Sequence, residues 1–590
     1  MLRSIGIRSG LLRLAAGVAC VPCVSLPALA QDTEAPRPTL NRAAPASPNA
    51  TVNLVNLLVK QGVLTEEQAD ALIKQAEQEA YVAREATKTA AAKAQAAERS
   101  AETAAAAAMP AGTKRVTYVP EVVKRDLRNE IRKEVLAQAK SENWASPNSF
   151  PEWTSRIRFY GDVRTRYEGQ FFPRGNDNAG RLLNYNAINT GSPVLLGGGD
   201  PPPVRDVDTD RNRFRLRARL GMEADLFDGF SAGLRIATGD SSSPVSTNAT
   251  LGGGGGNFSK YPIWLDRGWL RYQLYDQVAV SLGRFDNPFF SPTDLTWYDE
   301  LGFDGVAVQA KHEFMPGFTP FAVAGAFPLY NTALNYPSTG TVNGAAAGSN
   351  LSSTDKYLFG GQVGLGWQAT PEVGFKFGAA YYDFSNVKGY LSTPCVIASG
   401  VTCSTDNLRP SFAQYGNTYI RLRQPAVGSS DTQYFGLASA FRVLELTGRT
   451  DLSFFAPVHI LLDGTYVNNL AFNHRELDTI AFNNLDSNGR YVGGRQGAMG
   501  RLTIGYPKVA ALWDWNVYVG YKYLESDAVM DAFTDPDFGL GGTNLKGYIV
   551  GGRLGLGSNV WASVKYLSAN SIAGSPFSVD VLQLDLTGKF

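Results

Sequence analysis

The chain has 590 residues, a formal net charge of +1, 44% hydrophobic and 18% charged residues, and 61 glycines. That balance, with no RNP, helix-turn-helix or zinc-finger spacing, excludes a globally basic nucleic-acid binder. Beyond the N-terminal apolar stretch no segment reaches the ~20 apolar residues of a membrane helix, and the glycine content, above the usual ~7%, fits one large architecture of short strands and loops.

The first 30 residues read as a signal peptide. Arg3, Arg8 and Arg13 precede an apolar run from Leu14 to Leu26, and Ala28-Leu29-Ala30 supplies the small-residue cleavage motif. The alternative is a lipoprotein signal acylated on Cys20, but Gly17-Val18-Ala19 lacks the usual large aliphatic before the cysteine. Residues 31–50, rich in Pro, Ala and Asn, read as a disordered leader. Residues 51–150 form a helical segment: Thr65-Glu66-Glu67-Gln68 fits a capping box, and Val123, Leu127, Ile131 and Val135 make a later apolar stripe. A periplasmic coiled coil or docking segment and a solvated helical spacer both fit it.

Residues 151–590 change to period-two alternation. Ile157, Phe159, Val163 and Tyr167 share one face, against Arg158, Asp162, Arg164, Arg166 and Glu168 on the other. Phe214 to Leu226 repeat this against Arg213, Arg215, Arg217, Arg219, Glu223 and Asp225. About 16 such segments follow one another, an even number, joined alternately by tight turns and long loops. The tenth of them is read over 432–445. Trp513, Trp515, Val517, Val519, Tyr521 and Tyr523 set aromatics at both ends of an aliphatic band, as two membrane interfaces require. The pattern predicts an all-β transmembrane antiparallel barrel of about 16 strands in a bacterial outer membrane, contacting lipid and lipopolysaccharide, with the helical segment in the periplasm.

Cys395 and Cys403 lie close together in a polar stretch. In an oxidising compartment they read as a local disulfide worth about 2–3 kcal/mol, with two free thiols as the alternative; metal or redox spacing is lacking.

The stretches LVNLLVKQGVLTEEQADALIKQ, RIRFYGDVRTRYE, RNRFRLRARLGMEADL and LGRFDNPFFSPTDLTWYDELGFDGVAV together resemble the putative-porin family of Gram-negative outer-membrane proteins. The resemblance implies a porin-like channel for small hydrophilic solutes or ions and no cofactor. The terminal Phe590 resembles the C-terminal aromatic read by the barrel assembly machinery. Trimers are the habit of 16-stranded porins, so a homotrimer is a further expectation, and a peptidoglycan contact through the helical leader is another.

Arg158, Arg164, Arg166, Arg213, Arg215, Arg217 and Arg219 would each cost several kcal/mol on the lipid side, so alternation assigns them to the pore lining. They read either as a basic wall that selects solutes or as lumenal salt bridges that fix barrel shape. The third long loop, taken over 286–304, carries Asp286, Asp294, Asp299, Glu300 and Asp304, and resembles general porins in lying between the fifth and sixth strands. Folded inward it would form an acidic constriction; outward, it would bind divalent cations or lipopolysaccharide. His312, His459 and His474 form no catalytic constellation with a nucleophile, so the chain reads as a non-enzyme. A structural anchor, holding peptidoglycan or a partner through the helical leader, is the alternative to a porin.

Overall fold

A computed structural model describes residues 155–176, 182–198, 201–253, 258–331, 341–342, 345–346, 354–397 and 401–590. The signal peptide, leader and helical segment read from the sequence lie outside the described residues.

Alternating side chains let each wall strand present one apolar and one polar face, and these strands close on themselves. In chain order they are β1 (Ile157–Phe171), β2 (Arg211–Asp225), β3 (Phe230–Thr238), β4 (Ile263–Tyr275), β5 (Val278–Asp286), β6 (Gly302–Lys311), β7 (Phe318–Tyr330) and β8 (Lys356–Thr370). The second half comprises β9 (Val373–Ser385), β10 (Phe441–Phe455), β11 (Val458–Asn469), β12 (Gln496–Gly505), β13 (Trp515–Leu524), β14 (Leu545–Gly557), β15 (Val560–Ser571) and β16 (Ser578–Lys589). A two-residue strand, Ala249–Thr250, also pairs with β2 opposite Arg215 and Leu216.

Every wall strand is antiparallel to its neighbours, and β16 returns to β1 with Lys589 opposite Asp162 and Asp585 opposite Arg166. The backbone of Phe590 exchanges two hydrogen bonds of 3.0 Å with Gly161 at this seam. Tight connections such as 276–277, 371–372 and 558–559 lie at one rim, and long loops such as 287–301, 386–440 and 525–544 at the other.

The tenth strand departs from the sequence reading. It runs over Phe441–Phe455 instead of 432–445, because Thr432–Gln433 and Phe435–Leu437 pair within the loops, with Val194–Leu195 and Tyr419–Arg421 respectively. Local alternation is the same in a loop ribbon as in a wall strand.

Outside the barrel Phe159, Phe214, Val363, Phe377, Val517 and Leu586 are all exposed. At about 25 cal/mol per Å² of apolar surface, so continuous a belt is stable only against lipid. The hydrophobic core sits inside, where Phe289, Leu295 and Trp297 of loop 287–301 pack against inward residues such as Phe327, Leu358 and Tyr382.

Candidate functional site: the charged lumen

β1 and β2 set arginines directly opposite one another, Arg164 against Arg217 and Arg166 against Arg215. Like charges facing across a ladder repel, so this arrangement needs carboxylates close by. β1 itself provides two. Asp162 accepts from Arg217 Nη2 and Arg219 Nε, both at 2.6 Å, and Glu168 accepts from Arg215 at 2.9 Å and from Arg213. β16 adds Asp585, 2.7 Å from Arg166 Nε.

Two loops complete the neutralisation. Glu300 of loop 287–301 accepts from Arg217 and lies 3.5 Å from Arg219, while Asp537 of loop 525–544 lies 3.1 Å from Arg166 Nη1. Five of the six arginines thus pair with five carboxylates. Arg164 makes no ion pair among the described residues and donates to Asn248 Oδ1 at 2.6 Å. Arg158 stands apart near the tight-turn rim, exposed and paired with Glu223.

Loop 287–301 crosses the barrel interior, because its anchors lie on strands far around the wall. Phe290 N donates to Gln362 of β8 at 2.7 Å, Thr293 Oγ1 to Thr465 of β11 at 2.7 Å, and Thr296 Oγ1 to Glu445 of β10 at 2.5 Å. Arg501 of β12 donates to Pro292 O at 2.6 Å, Lys522 of β13 to Asp294 O at 3.2 Å, and Arg267 of β4 to Glu300 O at 2.9 Å. Tyr298 N reaches Phe533 O of loop 525–544 at 2.9 Å, so the two inward loops hold each other.

Of the five acids read into this loop, Asp294, Asp299 and Glu300 belong to it. Asp286 and Asp304 do not. The ladder between β5 and β6 continues to Asp286 opposite Gly302, with Asp304 opposite Arg284, so both acids sit on the wall. There Asp286 accepts from Arg267 and Asp304 from Arg284, each at 2.7 Å.

The loop acids differ in strength. Burial would raise the Glu300 carboxyl, but Arg217, Arg219 and Arg164 outweigh it and hold its pKa at about 2. Asp299, which reaches the lumen surface, is pushed up to about 6 by its enclosure and by Asp294. Asp535, a buried neighbour of Asp537, is pushed up to about 7 by burial, only partly offset by Lys565 Nζ at 3.6 Å. Asp537 moves the other way, lowered because Arg166 and Lys565 outweigh its burial.

The half of the lumen beside β5–β9 holds an aromatic wedge. Trp297 stacks edge-on against Phe303 and Tyr382, and Phe289 against Tyr382, with 5.1 Å between ring centroids in each case. Cavities of about 700 and 690 Å³ flank this wedge, the first toward the long loops and the second toward the tight turns. The second is edged by Arg271, Lys311 and Lys376.

Sequence reasoning missed Asp535, Asp537 and Lys565; alternation puts Asp585 on the water-facing side of the last strand, without naming Arg166 as its partner. Alternation also places Lys565 on an inward face, so it was readable; the two loop acids carry no periodic signal. Cys395 and Cys403 are joined as a disulfide within loop 386–440, both fully buried.

A family description reading "Putative porin" matches residues 48–590, nearly the whole chain. The chain belongs to the putative-porin family. Membership goes with an integral outer-membrane barrel and a porin channel. No curated protein matches the sequence. Among solved structures, OprB of Pseudomonas putida at high pH is 12% identical, with a TM-score of 0.39 over 74% of this chain and 95% of that one. The outer-membrane channel DcaP of Acinetobacter baumannii is 12% identical (TM-score 0.33, 74% and 97% covered), and an anion-selective porin from Comamonas acidovorans 11% (0.34, 74% and 99%). Likenesses this distant transfer no function, and the family assignment rests on the sequence match.

Proposed function

We propose that this porin passes small hydrophilic solutes and ions by passive diffusion, through a lumen lined by Arg164, Arg166, Arg213, Arg215, Arg217 and Arg219 and narrowed by loop 287–301. The observation that carries this reading is Glu300, a loop carboxylate in contact with the arginines of β2. With Glu300 seated on the wall arginines, the arginine charge it leaves uncompensated acts across the narrow wet passage beside the loop and orients charged and dipolar solutes.

Within this cluster five carboxylates face six arginines, so the stretch of the passage beside β1 and β2 keeps a positive bias and favours anions there. The bias is small, because most of the arginine charge is spent on holding β1, β2, β16 and the two inward loops together. Salt-bridge scaffolding and solute selection are here two roles of one cluster. Purified full-length protein in planar lipid bilayers tests the reading. Stepwise open-channel currents support it; silence, with retained binding to peptidoglycan, would favour a structural anchor working through the helical leader.

A further inference from the structure

The cavity on the long-loop side of loop 287–301, about 700 Å³, is walled by Trp297, Phe303, Phe327, Leu329, Phe412 and Phe533. Its charged lining residues are mostly spoken for. Asp266 is held by Arg235 at 2.6 Å and Arg267 at 2.8 Å, Asp304 pairs with Arg284 at 2.7 Å, and Asp240 accepts from Ser242 N at 2.9 Å within its own exposed turn.

Lys356, at the start of β8, is the exception. It lines the cavity, is 6% exposed, and has no carboxylate partner among the described residues. Its Nζ donates to Leu408 O at 3.3 Å and Arg409 O at 3.1 Å and stands 5.3 Å from the centroid of the Tyr330 ring. Two carbonyls and a ring face leave the buried positive charge without a counter-ion. The segment carrying those carbonyls is braced, since Arg423 grips Asp406 at 2.6 and 2.9 Å and the Cys395–Cys403 disulfide closes the loop beside it.

We propose that this cavity binds an organic monoanion with an apolar body, its carboxylate on Lys356 and its body against Trp297, Phe327 and Phe412. Asp240 also lacks a cationic partner among the described residues but sits exposed to water at the cavity's edge, so the buried cation Lys356 sets the charge of the ligand and the aromatic walls set the character of the rest. A role in uptake rests on the channel reading, whereas binding itself needs no conduction.

Calorimetry on the full-length protein in detergent tests it with three probes: 4-phenylbutyrate, its neutral amide 4-phenylbutyramide, and butyrate. The acid should bind once per chain, about tenfold or more tighter than either the amide or butyrate. Lys356→Gln keeps donors for the two carbonyls and drops the charge, so it should abolish the preference for acid over amide. Lys356→Arg should retain the preference, and Phe412→Ala should weaken acid and amide alike. Equal binding of acid and amide to the native chain, or an undiminished preference in Lys356→Gln, would overturn the site. Binding without bilayer current would sink the channel reading and leave the site standing; current without any acid preference would do the reverse.

Discussion

Arg166 on the first wall strand lies 3.1 Å from Asp537, a carboxylate 371 residues further along in the loop before β14. The contact ties a lumenal arginine to an inward loop and cancels charge that the lumen would otherwise show to solutes. Asp537→Asn keeps the side chain's size and removes its charge, so the chloride-to-potassium permeability ratio should rise. Reversal potentials before and after the substitution measure the change, and an unaltered ratio would mean that Arg166 does not face permeating ions.

The acids of the inward loop pull the opposite way from the wall. Converting Asp294, Asp299 and Glu300 together to their amides should move selectivity further toward chloride. At pH 7 both Glu300 and Asp299 carry charge; as pH falls through 6 the share of Asp299, whose pKa is raised to about 6, should fade, while that of Glu300, held at about 2, persists. Single Glu300→Gln and Asp299→Asn variants, compared at pH 7, separate the two contributions.

Proton uptake should be visible in the same currents. With its pKa raised to about 7, Asp535 loses its negative charge as pH falls from 8 to 6, so the chloride preference should climb with a midpoint near 7, and Asp535→Asn should flatten that step. The sign for stability follows from the same shift. A carboxyl whose folded pKa lies above its unfolded value binds its proton more tightly in the folded chain, so this group favours folding more at pH 6 than at pH 8. Denaturant midpoints at the two values should rank in that order, and the difference should shrink in Asp535→Asn.

The aromatic wedge can be opened without touching the arginines. Phe289→Ala and Phe327→Ala each remove a ring from the packed face between the two large cavities. Single-channel conductance should rise in both, with little change in ion preference. An increase in neither would mean that ions pass wholly along the arginine side.

Most of the wall was legible because lipid and water impose opposite demands on alternate residues. The face holding Arg213, Arg215, Arg217 and Arg219 could be assigned inward with no knowledge of what lay across from it. β10 was harder. Its outward face includes Gly448 and Thr450, a weaker apolar signal than the Phe435–Leu437 ribbon just before it. The partners of the arginines were harder still. Asp162 and Glu168 lie on the same strand as some of them, but Glu300 arrives through a loop whose inward course depends on bonds to Gln362, Glu445 and Thr465, none of them near in sequence, and Asp537 through the loop that meets it at Phe533.

The strand register has its own test. Leu216 and Val517 face outward while Arg217 and Asn516 are buried inside, so Leu216→Cys and Val517→Cys should react with lipid-phase probes. Arg217→Cys and Asn516→Cys should react with small water-soluble thiol reagents instead. Equal aqueous labelling at all four positions would contradict the register.

The charged lumen is tested most directly by the reversal potential under a salt gradient when Arg215, Arg217 and Arg219 are all replaced by Gln. Their charges repeat every ~6.6 Å along β2, within the ~8 Å Debye length of physiological salt, so their fields overlap where ions pass. The triple variant should show a lower chloride-to-potassium ratio than the native chain, with the larger drop at low salt where screening is weak. A triple variant that folds, conducts and keeps the native reversal potential would mean that the arginines serve only as scaffolding, and would contradict their role in selection.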